Sequence, residues 1–298
     1  MKVLDVLDSP WLIVPDKLAQ IRGIYETHLR GEKIDVDAVL AKLAKPNDAD
    51  SIGSTVQDGT AIIPIYGVIG KKMNMFTRIS GGTSTQLIGQ DFAEAMADPN
   101  VHSILLAIDS PGGTVDGTQA LADQIFEARG TKPIIAVGDG MMASAAYWIG
   151  SAADKVYTSG DTTAIGSIGV VAQHTDYSQA EHAAGIKVTE ITAGKYKRIA
   201  SDHEPLSVEG RAAIQEKVDH LYSVFVDSVA RNRGVDPETV AAKMADGKVF
   251  LGKQAVKAGL VDGVSTQPAL VAKLNQNYLH NRTRAVAQLI LERTESYG

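Results

Sequence analysis

The chain of 298 residues contains no cysteine. That excludes disulfides, cysteine-ligated zinc, iron–sulfur clusters and a cysteine nucleophile. A long apolar run is also missing. The most apolar stretches, 141–153 and 62–70, fall short of the roughly 18–20 residues that a spanning helix needs, so no membrane anchor is expected. Two aspartates and a proline interrupt the opening MKVLDVLDSPW, which argues against an export signal. No block of basic residues stands out. With 29 Lys+Arg against 35 Asp+Glu the net charge is −6, which weighs against a nucleic-acid partner. There is no G-x-S-x-G elbow, so an α/β-hydrolase is not supported. What remains is ordinary: a hydrophobic content of 44% fits a folded protein, expected in the cytoplasm.

Three regions are expected. Residues 1–55 read as an N-terminal helical arm and linker. Pro15 opens a helix, with Leu18, Ile21, Ile24, Tyr25 and Leu29 at helical spacing. A second short helix is expected over Val36–Leu43, followed by a turn-rich linker at 44–54. Residues 56–265 alternate strands with helices. Strands are expected at Ala61–Tyr66, Ser103–Ile108, Pro133–Val137 and Lys155–Thr158. Helices are expected at Thr85–Ala97, Gly117–Ala128, Ala143–Ala152, Ser207–Arg231 and Pro237–Met244. In Thr85–Ala97, Leu87, Ile88, Phe92 and Met96 fall on one side. Apolar strands separated by helices imply an α/β fold with a parallel sheet covered on both faces. Residues 266–298 read as a helical tail.

Two places carry chemistry. Asp109-Ser110-Pro111-Gly112-Gly113 follows an apolar strand. Paired glycines there either make a tight turn or expose backbone N–H groups to an anion. The second place is the loop and helix around Ser144, among small residues. Ser144 is either a helix N-cap or a nucleophile, with the Ala145 N–H as a second oxyanion donor. A nucleophile needs a base. His28, His102, His174, His182, His203, His220 and His280 occupy no catalytic frame and no metal pattern. The alternative base is a lysine in Gly194-Lys195-Tyr196-Lys197, after the β-rich Val188–Thr192. A lysine base works uncharged, and burial is what brings an ammonium down from about 10.4.

Five motifs in order carry a family resemblance. They are IDSPGG at 108–113, MMASAAYWIGSAADKVY at 141–157, AIGSIGVV at 164–171, AGIKVTEITAGKYK at 184–197 and KVFLGKQAVKAGLVDGV at 248–264. Together they resemble the signal peptide peptidase A family of Ser–Lys serine peptidases, most of all its phage prohead protease branch. The resemblance implies a Clp protease/crotonase-like core of repeated ββα units. It implies Ser144 as nucleophile, Lys197 as base with Lys195 its competitor, and Ser167 orienting the lysine. Gly112 or Gly113 with Ala145 would form the oxyanion hole, and no metal or cofactor would be needed. The pattern departs from the family in having Ala145-Ala146 after the serine, where many members have two glycines. The Ser144–Ser167 spacing is also one residue longer than usual.

The resemblance further implies a homo-oligomer in which serine and lysine come from adjacent subunits. Its substrates would be scaffold, portal or capsid proteins, in host cytoplasm or prohead. The Ala and Met residues of the loop around Ser144 point to a small apolar residue before the cut. Three alternatives stand beside the resemblance. One is a cytoplasmic signal-peptide or oligopeptide peptidase. Another is a non-enzymatic capsid or scaffold component. The third is a crotonase-type acyl-CoA enzyme.

Overall fold

The computed structural model describes residues 10–29, 53–72 and 82–295. The helix expected over Val36–Leu43 and most of the linker at 44–54 lie outside the described residues.

A large sheet forms the centre. Strands β3 (Thr60–Tyr66), β6 (Ser103–Ser110), β8 (Ile134–Ala143) and β10 (Ala164–Gly166) run parallel in the order β3-β6-β8-β10. The first half of β8 also pairs with β9 (Lys155–Thr158). Antiparallel strands β2 (Thr55–Gln57) and β11 (Val249–Leu251) close the two edges. Side chains alternate along the strands and both faces are buried, which is why the strands read as unbroken apolar runs. On β6, Ile104, Leu106 and Ile108 join the main cluster, whereas Leu105 and Ala107 face the other way.

Helices cover the main face. These are α2 (Thr85–Ala97), α3 (Thr118–Glu127), α4 (Ala145–Ser151) and α6 (Val208–Arg233). The opposite face is covered by α9 (Gln267–Glu295), through Leu270, Val271 and Leu274. Ser84 caps α2 by accepting from the Leu87 N–H, and Ser207 caps α6 by accepting from the Gly210 N–H. On α2 the buried residues are Thr85, Ile88, Phe92 and Ala95. Leu87, expected on the buried side, is exposed.

A second, small sheet stands over one end of the large one. Its order is β1 (Trp11–Ile13), β7 (Gly112–Thr114), β4 (Ile69–Gly70) and β5 (Thr83–Ser84). The chain visits the two sheets in turn. Strand β3 in the large sheet leads to β4 in the small one and then to α2. Strand β6 leads to β7 and then to α3. These are the ββα units expected, and they deliver β7 and the end of β8 to the same place.

Two expected elements differ. Strand β8 continues through Gly138–Ala143, where a loop was expected, because Met141, Met142 and Ala143 pair with β10. No strand forms at Val188–Thr192. That segment is mostly exposed and has no neighbouring strand to pair with in the single chain.

Candidate active site

Ser144 is the residue at which β8 ends and α4 begins. The register Ala143↔Gly166 carries the two strands out together, and the Ser144 N–H donates to the Gly166 carbonyl at 2.7 Å. Ser167 is therefore its immediate neighbour across the strands. Its N–H donates to the Lys248 carbonyl at 2.8 Å. Both serines hold positive φ, 55° at Ser144 and 53° at Ser167. An L-residue in that region is strained by roughly 1–3 kcal/mol, and such strain collects at functional positions. Both residues are buried, Ser144 to 1% exposure. Ser144 stands at the N-cap position, yet its hydroxyl makes no capping bond.

The glycine strand lies directly against this serine. A Cβ on Gly112 would sit 3.0 Å from Ser144 Cβ and 2.1 Å from the Leu12 carbonyl oxygen. A Cβ on Gly113 would sit 1.8 Å from the Ile69 carbonyl oxygen. Only glycine fits at either position, and Gly112 also needs its φ of 105°. Ser110, buried, donates to the Gly67 carbonyl at 2.6 Å and accepts from the Gly112 N–H at 3.2 Å. Its hydroxyl fixes the turn into β7. The Gly112 N–H is thus committed.

The Gly113 N–H points to β1. The Val14 N–H donates to the Pro111 carbonyl, which makes Leu12 and Gly113 the next hydrogen-bonded pair of the antiparallel ladder. Gly112→Ala is expected to lower thermal stability and disturb Ser144 together. Differential scanning calorimetry should read a loss of at least about 1 kcal/mol.

Asp109 supports the same corner. Its carboxylate accepts from the Met141 N–H at 3.0 Å, which ties the end of β6 to the part of β8 that leads to the serine. Gly140 lets the strand pass, since a Cβ there would come 2.7 Å from Asp109 Oδ1. Partial burial, and to a lesser degree the Asp139 charge, raise the Asp109 carboxyl above its ordinary value. In the sequence, Asp109 and Ser110 were visible only as part of IDSPGG.

Lys197 is elsewhere in the single chain. It lies on an exposed turn and makes no ion pair among the described residues. The 194–200 segment is turned rather than extended, so Lys195 and Lys197 do not share a strand face. Lys195 sits 5.4 Å over the Tyr196 ring.

A polar network holds this segment. Glu190 accepts from the Ser201 hydroxyl at 2.6 Å and from Arg198 at 2.9 Å, and Arg198 also reaches Glu204 at 2.7 Å. His203 is 2.7 Å from Glu181 and 3.3 Å from Asp202. The Glu181 contact raises the His203 pKa, and the Ser201 hydroxyl, then Arg198, lowers that of Glu190. The histidine's contribution is complete below its unfolded value and fades as pH rises through the raised folded one. The glutamate's contribution fades as pH falls. Segment 177–206 is therefore expected to be best ordered in mild acid, at about pH 5–6.5. Hydrogen exchange corrected for intrinsic rates should show its protection falling above that window, and His203→Gln should flatten the change.

Among the described residues no helix is long and apolar enough to cross a membrane. A head-tail preconnector protein, GP5, of Enterobacteria phage P21 is 33% identical over 207 residues. That alignment covers 70% of this chain and 41% of the phage protein. The capsid assembly protease C of Escherichia phage lambda is 30% identical over 236 residues, covering 78% of this chain and 53% of that protein. The chain thus spans about half the length of these curated relatives. Among solved structures, a ClpP1 variant from Listeria monocytogenes aligns with a TM-score of 0.43 and 16% identity, over 70% of this chain and 94% of that one. The model of peptidase family S49 matches residues 127–280, from the last turn of α3 through β8, the two strained serines and the lysine turn into α9; with more than half of its length matched, the chain belongs to peptidase family S49.

Proposed function

We propose that this chain is a serine endopeptidase that works through a Ser–Lys pair and an acyl-enzyme. The observation that carries the reading is the Ser144 corner. There, a hydroxyl with no hydrogen-bond partner among the described residues stands on a strained backbone against a strand that only glycine can form. Ser144 Oγ attacks the scissile carbonyl while the neutral amine of Lys197 takes its proton. The N–H groups of Gly113 and Ala145 hold the oxyanion, since the Gly112 N–H is spent on Ser110. Lys197 then protonates the leaving amine, water releases the acyl group, and Ser167 orients the lysine.

Lys197 reaches a serine by assembly. The segment that carries it exposes Ile186, Val188, Ile191 and Tyr196, with Ile191 94% exposed. Apolar side chains on a projecting segment favour contact with a second copy. That contact supplies the desolvation a lysine base requires. The homo-oligomer therefore pairs Ser144 of one subunit with Lys197 of the next.

The natural substrates are assigned to phage head assembly, as scaffold, portal or capsid proteins. The names of the two phage relatives support this. Mass spectrometry of the purified chain incubated with an unfolded protein tests the activity, and co-expression with scaffold and capsid proteins tests the substrate. Cleavage of unfolded protein with scaffold and capsid left whole would keep the peptidase and remove the phage role.

A further inference from the structure

The N-terminal strand is where a substrate would be. Resting on the peptidase reading above, we infer that the channel between β7 and Val171 is the binding groove for an extended apolar peptide. The chain's own Trp11–Ile13 fills it.

Three observations meet here. First, β1 is hydrogen-bonded along both edges. It pairs antiparallel with Gly112–Thr114 on one side, and Trp11 exchanges backbone bonds with Val171 on the other, at 2.8 and 3.0 Å. A strand added to a sheet edge and held by its main chain is one way a peptide is read. Second, the Gly113 N–H, proposed above to hold the oxyanion, faces the Leu12 carbonyl in the ladder, and that carbonyl and the Ser144 Cβ both border the space beside Gly112. The chain presents its own carbonyl where a scissile one belongs. Third, Ser144 is 1% exposed, so no peptide reaches it while the present neighbours stay in place.

The side chains give the class of ligand. Leu12 is fully buried in the main cluster beside the serine, whereas Trp11 and Ile13 turn the other way and pack with Leu18, Ile21 and Val68. The groove takes an aliphatic residue of leucine size at the Leu12 position, flanked by bulky apolar residues. That is larger than the small residue expected from the Ala- and Met-lined loop. Leu18 and Ile21 belong to α1 (Pro15–Leu29), so strand and helix dock as one strap. The strap has to leave before a substrate enters, and apparent affinity falls by the fraction of chains in which it is docked.

The test uses the full chain carrying Ser144→Ala, in which nothing is hydrolysed. The probe is a fluorescein-labelled peptide of sequence SPWLIVP, residues 9–15. Adding Leu12→Asp to loosen the strap is expected to tighten peptide binding by about tenfold or more. A peptide with aspartate in place of its leucine should not bind. Equal binding with and without Leu12→Asp, or none to the loosened chain, overturns the inference.

Should Leu12→Asp not fold, a reversible lock replaces it. Trp11 and Thr114 face each other in the ladder, and the chain has no other cysteine. With Trp11→Cys and Thr114→Cys in the otherwise active chain, the oxidised form should cleave an unfolded protein about tenfold or more slower than the reduced form. Equal rates overturn the inference. Peptide binding without hydrolysis in either redox state rejects the peptidase reading and keeps the groove. Hydrolysis without peptide binding does the reverse.

Discussion

Ser144→Ala is expected to abolish peptide hydrolysis, with a fall of at least about 10⁴-fold in kcat/KM, the scale seen when a serine nucleophile is removed. The fold should survive. Alanine keeps a Cβ and adopts φ of 55° no less readily than serine, so the strained corner is unchanged. The Ser144 N–H still reaches the Gly166 carbonyl, and the Trp148 N–H still reaches the carbonyl of residue 144. No side-chain bond is lost, since the hydroxyl makes none among the described residues. Sedimentation and circular dichroism of the variant should match the parent. Hydrolysis at the parental rate would reject Ser144 as nucleophile.

Lys197→Ala is expected to be as inactive as Ser144→Ala near neutral pH, while Lys195→Ala keeps most of its activity. The two lysines differ in setting: Lys195 lies over the Tyr196 ring, whereas Lys197 closes the Gly194 turn through its own N–H. The reverse outcome would exchange their roles. The pair also offers a direct test of sharing between subunits. A serine from one copy and a lysine from the next means that a mixture of the two dead variants assembles some complete sites. Random mixing in equal amounts should restore about a quarter of them. No recovery after unfolding and co-assembly, with oligomers reformed, would place both residues in one subunit.

The parts of this architecture that were legible share one property. Their pattern is decided locally. Strand β6 is an apolar run ended by Pro-Gly-Gly, and α4 follows a small-residue turn, so sequence alone located the glycine pair and Ser144. What was hidden depends on a distant partner. Strand β8 runs through two glycines and an aspartate to Ala143 because β10 lies beside it, about 25 residues downstream. Val188–Thr192 has strand-forming residues and no strand to meet. Leu87 fits an apolar helix stripe yet is exposed, because Thr85 and Ala95 turn inward in its stead. The most consequential omission is β1. Its signal was present as four apolar residues, Trp11–Val14, held between Pro10 and Pro15, which is the outline of a short strand. The positive φ at Ser144 and Ser167 had no signal, since serine gives no hint of that conformation.

One side chain at the other end of α4 adds a polar tie between two helices that already pack, Trp148 of α4 stacking on Phe225 of α6. Arg129, stacked on Phe126, donates to the carbonyls of Ser151, Ala152 and Ala153 at the end of α4, and to that of Asn232 at the end of α6. Asn232 returns a bond to the Ser151 hydroxyl. A single guanidinium thus rivets the tail of the helix that begins at Ser144 to a helix some eighty residues later. Fraying at the end of α6 is therefore expected to spread to α4, the two helices opening together. Damage to a remote helix terminus would reach the nucleophile without touching it.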